Sequence, residues 1–323
     1  MRIFRPLSLI IALAFCFGCG GGSGSGGGGG GLPTQTALFR IVNNCSYTIW
    51  IQQSNMPTGT AAVTQLAKGG YVDYNIPDIG LASTRFWPKT GCDANSQNCS
   101  LGQSSDPCPA AGCAPPIDSK FEATWGCTNA DPTQCAVNPS APAQKLPPIT
   151  SWDTSAVDGY SLPYKVTIVG GGGSTCINAD CSSCNTIDCT NLNLSGCPTD
   201  ENLSQGQVDV HPEYNNEDLR VLDAASPDTA LGCYSPCKKL NWPNNTGYNG
   251  EGLSEQGDAA VMYCCPTPPI DPGACRAGPV AATKYVAAIH SMCTGGVYAY
   301  SYDDVVGLHN CAGNTQFLMT FCP

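Results

Sequence analysis

The chain has 323 residues, of which 12% are charged, and its formal net charge is −11. That acidity excludes nucleic acid as a partner, because phosphates call for a basic face, and it disfavours simple electrostatic docking on anionic lipid. Thirty-seven glycines and 26 prolines beside so few charged residues favour strands and long loops over helices. Twenty-two cysteines belong to an oxidising compartment, since the cytosol would keep so many thiols reduced. Zinc is the rival use, because Cys181-Ser182-Ser183-Cys184 has the gap of a zinc knuckle. Only His211, His290 and His309 could add to it, however, and no second pair at that gap follows. Neither a metal nor a cofactor is expected.

In chain order, Arg2 and Arg5 precede an apolar run over residues 7–17 that is too short for a stable membrane anchor. Residues 1–18 therefore read as an export signal. The run ends in Cys16-Phe17-Gly18-Cys19, which resembles a bacterial lipobox, with Cys16 standing where leucine is more usual. The resemblance implies a lipid on Cys19; ordinary cleavage near Gly18 is the alternative. Residues 19–35 follow as a glycine- and serine-rich tether.

The folded domain spans residues 36–323. Residues 37–42 and 47–51 read as a hairpin with Asn43 and Asn44 at the turn. Further strands are expected over residues 71–76, 84–87, 121–125, 164–169 and 316–321. One helix is expected over the alanine-rich residues 279–290. Residues 176–293 are dense in Cys, Asn, Asp and Pro, with little apolar periodicity. That subdomain is expected to depend on short disulfide loops, each worth about 3 kcal/mol for roughly 15 residues.

Five stretches in fixed order resemble thaumatin-like proteins. The first is Phe39-Arg40-Ile41-Val42-Asn43-Asn44-Cys45-Ser46-Tyr47-Thr48-Ile49-Trp50; the second is Arg85-Phe86-Trp87-Pro88-Lys89-Thr90-Gly91-Cys92. The third runs from Asp153-Thr154-Ser155 through Asp158-Gly159-Tyr160 to Pro163. Tyr298-Ala299-Tyr300-Ser301-Tyr302-Asp303-Asp304 and the terminal Phe321-Cys322-Pro323 complete the set. The resemblance implies a mainly β fold: a thaumatin-like β-sandwich with a disulfide-rich loop subdomain and one short α-helix. It also implies eight disulfides: Cys45–Cys322, Cys92–Cys99, Cys108–Cys113, Cys176–Cys311, Cys181–Cys293, Cys197–Cys233, Cys237–Cys264 and Cys265–Cys275. The cysteines left over are close neighbours, Cys127 with Cys135 and Cys184 with Cys189, and each pair is expected to form a local bond. The stretch between Cys99 and Cys108, and an insert between Glu122 and Asp153, depart from the family pattern.

Carried over position by position, the resemblance implies a ligand-binding cleft made by Arg85, Glu122, Asp153, Asp158 and Asp303, with Asp304 as the alternative to Asp303. Clustered carboxylates can bind sugar hydroxyls, with rings such as Tyr160 or Tyr300 offering apolar faces. A pair of them can also run hydrolysis, and the expected acid is Glu122 and the base Asp158. Each has a plainer reading, since Asp158-Gly159 is a common turn pair and Arg85 can be an ordinary ion-pair partner. The expected function is polysaccharide binding, β-1,3-glucan or a relative, by a monomeric protein lipid-anchored on a bacterial envelope. Weak endo-β-1,3-glucanase activity is an open possibility. The alternative is a non-catalytic structural or defensive (antifungal or antimicrobial) secreted protein.

Overall fold

The computed structural model describes residues 32–103, 117–171, 186–223, 226–242 and 249–323. Period-two patterning decides its two large sheets. In β6 (Lys120–Trp125), Phe121, Ala123 and Trp125 turn to the interior, while Lys120, Glu122 and Thr124 take the other face. The first sheet holds five strands in the order β12 (Thr186–Cys189), β11 (Tyr164–Gly170), β16 (Gln316–Phe321), β1 (Phe39–Asn43) and β4 (Tyr71–Tyr74). The second holds six: β15 (His309–Ala312), β9 (Ile149–Ser155), β6, β5 (Leu81–Lys89), β2 (Ile49–Ser54) and β3 (Val63–Leu66). Two small sheets complete the set. One joins β10 (Gly159–Tyr160), β14 (Ser226–Tyr234) and β13 (Arg220–Asp223); the other pairs β7 (Val137–Asn138) with β8 (Ala141–Lys145).

Aromatic rings fill the gap between the large sheets. Phe39 of the first stacks on Phe121 of the second with centroids 4.3 Å apart, and Phe317 meets Trp152 at 4.8 Å. The first and last strands, β1 and β16, lie side by side and parallel, and Cys45–Cys322 fastens them just beyond their ends. The expected hairpin between residues 37–42 and 47–51 does not form, because β1 and β2 lie in different sheets. Asn43 explains the crossing. Its buried amide donates to the carbonyls of Tyr47 and Leu66, and its oxygen accepts from the Cys45 amide, turning the chain across the sandwich.

The fold is mainly β, as expected, but it carries more helix than the one expected segment. Five α-helices occur among the described residues: α1 (Pro236–Asn241), α2 (Asp258–Cys264), α3 (Pro272–Ala277), α4 (Lys284–Met292) and α5 (Asp304–Gly307). Three of these are six or seven residues long, too short to show a helical period. Caps mark two of them: Ser235 accepts from the Lys238 amide, and Asp271 from Gly273 and Ala274. The helix expected over residues 279–290 is split. A 3₁₀ turn (Pro279–Ala282) precedes α4, and the Thr283 hydroxyl between them donates to Val280 O and accepts from the Val286 amide.

Two further expectations need correction. The region before Cys293 does bury apolar surface, since Leu203, Leu219, Val221, Leu240, Val261 and Ile289 are inaccessible and continuous with the sandwich core. Cys293 bonds Cys189, which replaces both the implied Cys181–Cys293 bond and the expected local Cys184–Cys189 bond. Paired backbone hydrogen bonds between Asp188 and Thr294 bring β12 alongside the end of α4 and set the two Cα atoms 4.3 Å apart. The other described bonds are those expected: Cys45–Cys322, Cys92–Cys99, Cys127–Cys135, Cys197–Cys233, Cys237–Cys264 and Cys265–Cys275. Cys311 is disulfide-bonded. Cys19, Cys108, Cys113, Cys176, Cys181 and Cys184 lie outside the described residues.

Candidate functional site

Three adjacent strands place three charged side chains in a row. Arg85 on β5 stands opposite Glu122 on β6, which stands opposite Asp153 on β9. All three leave the face that the core does not use, because Phe86, Phe121, Trp152 and Thr154 occupy the other face. The row floors an open cleft of about 320 Å³, which Ser155, Val157, Asp158, Tyr298, Ser301 and Tyr302 also line. Arg85 Nε donates to Glu122 Oε1. Asp153 has no such cation in contact, and its Oδ1 is enclosed without a hydrogen-bond partner. Burial pushes its pKa well above the usual carboxylate range, and the neighbouring Glu122 pushes it further. Asp153 is the carboxyl of this cleft whose surroundings favour the protonated form.

Asp158 is held in the opposite state. Lys120 Nζ lies 2.7 Å from one carboxylate oxygen and Lys238 Nζ, from α1, 3.1 Å from the other. Burial alone would raise its pKa, but the two ammonium groups, Lys120 foremost, outweigh burial and hold it below the usual value. Lys120 is itself buried, 3.6 Å from Asp118, whose pKa burial drives well up. Asp158 is thereby an anchored carboxylate tying β6 to α1.

Asp303, the fifth expected cleft residue, does not line the cleft. Its Oδ2 accepts from the Ala299 amide and lies 3.0 Å from His290 Nε2, so it braces the loop over residues 298–304 against α4. That contact raises the His290 pKa against the effect of partial burial. Asp304 accepts from the Tyr298 hydroxyl and pairs with Arg276. The rings at the cleft are Tyr298 and Tyr302, not the expected Tyr160 and Tyr300, which are buried; the Tyr160 hydroxyl donates to Asn193 O. Tyr302 holds φ +67°, a left-handed backbone that an aromatic residue adopts at a cost, and its hydroxyl donates to Thr267. Lys120, Lys238, Asp118 and the two tyrosines are the residues that sequence reading missed. A lysine beginning a half-polar strand reads as solvated, and Lys238 meets Asp158 only through the tertiary fold. Among the described residues no cluster of His, Cys, Asp and Glu could hold a metal ion.

Comparison with known proteins bears on the same span. The chain is 27% identical over 297 residues to thaumatin-like protein 1 of Arabidopsis thaliana, covering 89% of this chain and 86% of that one. It is 26% identical over 295 residues to a protein of Prunus avium named glucan endo-1,3-beta-glucosidase, covering 87% and 88%. Among solved structures, a laminaripentaose-producing β-1,3-glucanase from Paenibacillus barengoltzii overlays 88% of this chain and 74% of its own, at 11% identity and a TM-score of 0.42. That overlay is too loose to bear on function. The family model described as the thaumatin family matches residues 43–323, and the chain belongs to that family.

Proposed function

We propose that the protein binds β-1,3-glucan or a related polysaccharide in its acidic cleft, with at most weak endo-hydrolysis. The observation that supports this reading is the contrast between Asp153 and Glu122, cross-strand neighbours on the cleft floor. Burial favours the protonated form of Asp153, while Glu122 is ion-paired with Arg85. A carboxyl pushed toward its protonated form beside an ion-paired carboxylate resembles the pair that glycoside hydrolysis uses, one for the leaving oxygen and one as base or nucleophile. The roles expected from sequence accordingly shift. Asp153 takes the acid's place and Glu122 the partner's. Asp158, whose pKa two lysines hold down, is a poor base near neutrality and serves to fix the floor. Tyr298 and Tyr302 supply ring faces for a pyranose.

One feature favours binding over turnover. Arg85 already neutralises Glu122, and a carboxylate so partnered gives up nucleophilic strength. The name of the Prunus avium relative supports the substrate class. The location we propose is the bacterial envelope, outer membrane or cell surface, with a lipid on Cys19 and residues 19–35 as tether. Cys19→Ala is expected to release the protein from membranes. The cleft is tested by co-sedimentation with insoluble β-1,3-glucan, followed by assay of reducing ends. Asp153→Asn and Glu122→Gln should each weaken binding about tenfold, the worth of one hydrogen bond to a charged or strongly polar group. Binding unchanged in both variants would refute the cleft and leave the inert, defensive reading. Binding without reducing ends would make the protein a lectin, not a hydrolase.

A further inference from the structure

The two rings of the cleft, Tyr298 and Tyr302, stand on one loop. A backbone bridge to Ser155 fixes Tyr298, and α5 begins at Asp304, but Tyr302 between them belongs to neither strand nor helix. Its φ of +67° is a conformation that an aromatic residue does not hold unaided. The support comes from one arginine on α3, which does not itself line the cleft. Arg276 Nε donates to Tyr302 O at 2.9 Å, and its Nη2 donates to Asp304 Oδ2 at 2.9 Å. The other oxygen of that carboxylate accepts from the Tyr298 hydroxyl at 2.7 Å. One planar guanidinium thereby reaches both rings, Tyr302 through its backbone and Tyr298 through a carboxylate.

The arginine has a fixed base. Its neighbour Cys275 is bonded to Cys265, and the segment after α2 adds two ties, Ser301 hydroxyl to Cys264 O and Tyr302 hydroxyl to Thr267. The charges agree with the geometry. Burial would raise the Asp304 pKa, but the Tyr298 hydroxyl and the Arg276 guanidinium outweigh it and hold it below the usual range. Burial and the Asp304 carboxylate both push the Tyr298 pKa up, so its hydroxyl remains a donor. We propose that Arg276 is a positioning residue for the cleft, setting the angle at which Tyr298 and Tyr302 present their faces to a sugar. Its effect on binding rests on the glucan reading; the placement of the rings does not. Arg276 and Asp304 are each 41% exposed, and ion pairs so exposed add little to global stability. Loss of Arg276 therefore acts on the two rings and not on the unfolding of the whole domain.

Isotopic labelling at the hydroxyl-bearing ring carbon gives each of the 13 tyrosines an NMR signal, and Tyr298→Phe and Tyr302→Phe assign the two that matter. In Arg276→Gln both signals are expected to move while the others, Tyr300 apart, stay in place. The thermal unfolding midpoint should shift by less than about 4 °C. Co-sedimentation of the same variant with insoluble β-1,3-glucan should be about tenfold weaker than that of the wild-type protein. Both tyrosine signals unchanged would overturn the proposal, whatever happened to binding. Signals that move while glucan binding stays at the wild-type level would show rings placed without consequence for the ligand, and would overturn the role in the cleft. General movement of the tyrosine signals with a larger fall in the midpoint would make Arg276 a brace of the whole fold and overturn it equally. A wild-type protein that does not sediment with glucan would refute the glucan reading alone, and the NMR comparison would still decide what Arg276 does.

Discussion

In the sandwich, Phe39, Phe121, Trp152 and Phe317 fill the space between two sheets, and the described disulfides sit at the margins. Cys45–Cys322 closes the strand ends, while Cys92–Cys99 and Cys127–Cys135 close loops with separations of 7 and 8 residues. Between β12 and the end of α4 the balance changes. Four disulfides, Cys189–Cys293, Cys197–Cys233, Cys237–Cys264 and Cys265–Cys275, lie here, and the last two tie together α1, α2 and α3, helices of one or two turns. Isolated helices of that length are not stable in water. Covalent links and an aliphatic core shared with the sandwich hold them instead. One region is organised by side-chain shape and reinforced by sulfur; the other needs both at once.

That contrast is open to attack at its strongest point first. Phe121→Ala removes the ring that contacts Phe39, Trp125, Trp152 and Phe317. It should cost about 3–5 kcal/mol, the range for a buried aromatic truncated to alanine. Denaturant unfolding with all disulfides intact measures it, and a loss under about 1 kcal/mol would mean that crosslinks alone carry the sandwich. Replacing Cys237 and Cys264 together by alanine opens a loop with a separation of 27 residues. The chain-entropy relation puts that at about 3–4 kcal/mol. Here the location of the damage matters more than its size. Hydrogen exchange should rise in α1 and α2 while β5, β6 and β9 stay protected, and uniform acceleration would show that the two regions unfold as one unit.

The same contrast explains what could be read from sequence. β1, β4, β6, β11 and β16 announce themselves by alternation and aromatic content, but the row Arg85, Glu122, Asp153 also needs β9, which was not among the expected strands, so those three residues were legible through the family resemblance rather than through strand patterning. The short helices carry no period to read, so their caps at Ser235 and Asp271 were the remaining signal. The partner of Cys293 was not legible, because it depends on where Asp188 pairs with Thr294, a contact across about a hundred residues. The charge states in the cleft were equally hidden. Asp153 and Asp158 are five residues apart with the same side chain, yet one is enclosed without a cation in contact and the other lies between two lysines.

Lys238 tests the seam between the regions, since it reaches from α1 to an aspartate whose other partner, Lys120, belongs to β6. Lys238→Met keeps most of the apolar stem and removes the charge. At pH 7 it should cost about 1–3 kcal/mol, the worth of a hydrogen bond to a charged group in a buried setting. The pH dependence carries the sharper result. The folded-state pKa of Asp158 lies below its unfolded value of about 3.9, so its contribution is present above that value and lost as pH falls through the folded one. Without Lys238, burial regains ground against the single remaining lysine, the folded pKa rises, and acid unfolding should begin at higher pH. Asp153 and Asp118 act with the opposite sign, because their raised pKa values favour the folded state at low pH and lose that contribution as pH rises. They remain in both proteins, so subtracting one stability profile from the other leaves mainly Asp158. A difference that does not change between pH 2 and pH 7 would mean that Lys238 contributes packing rather than charge, and that the helical region is joined to the sandwich without this ion pair.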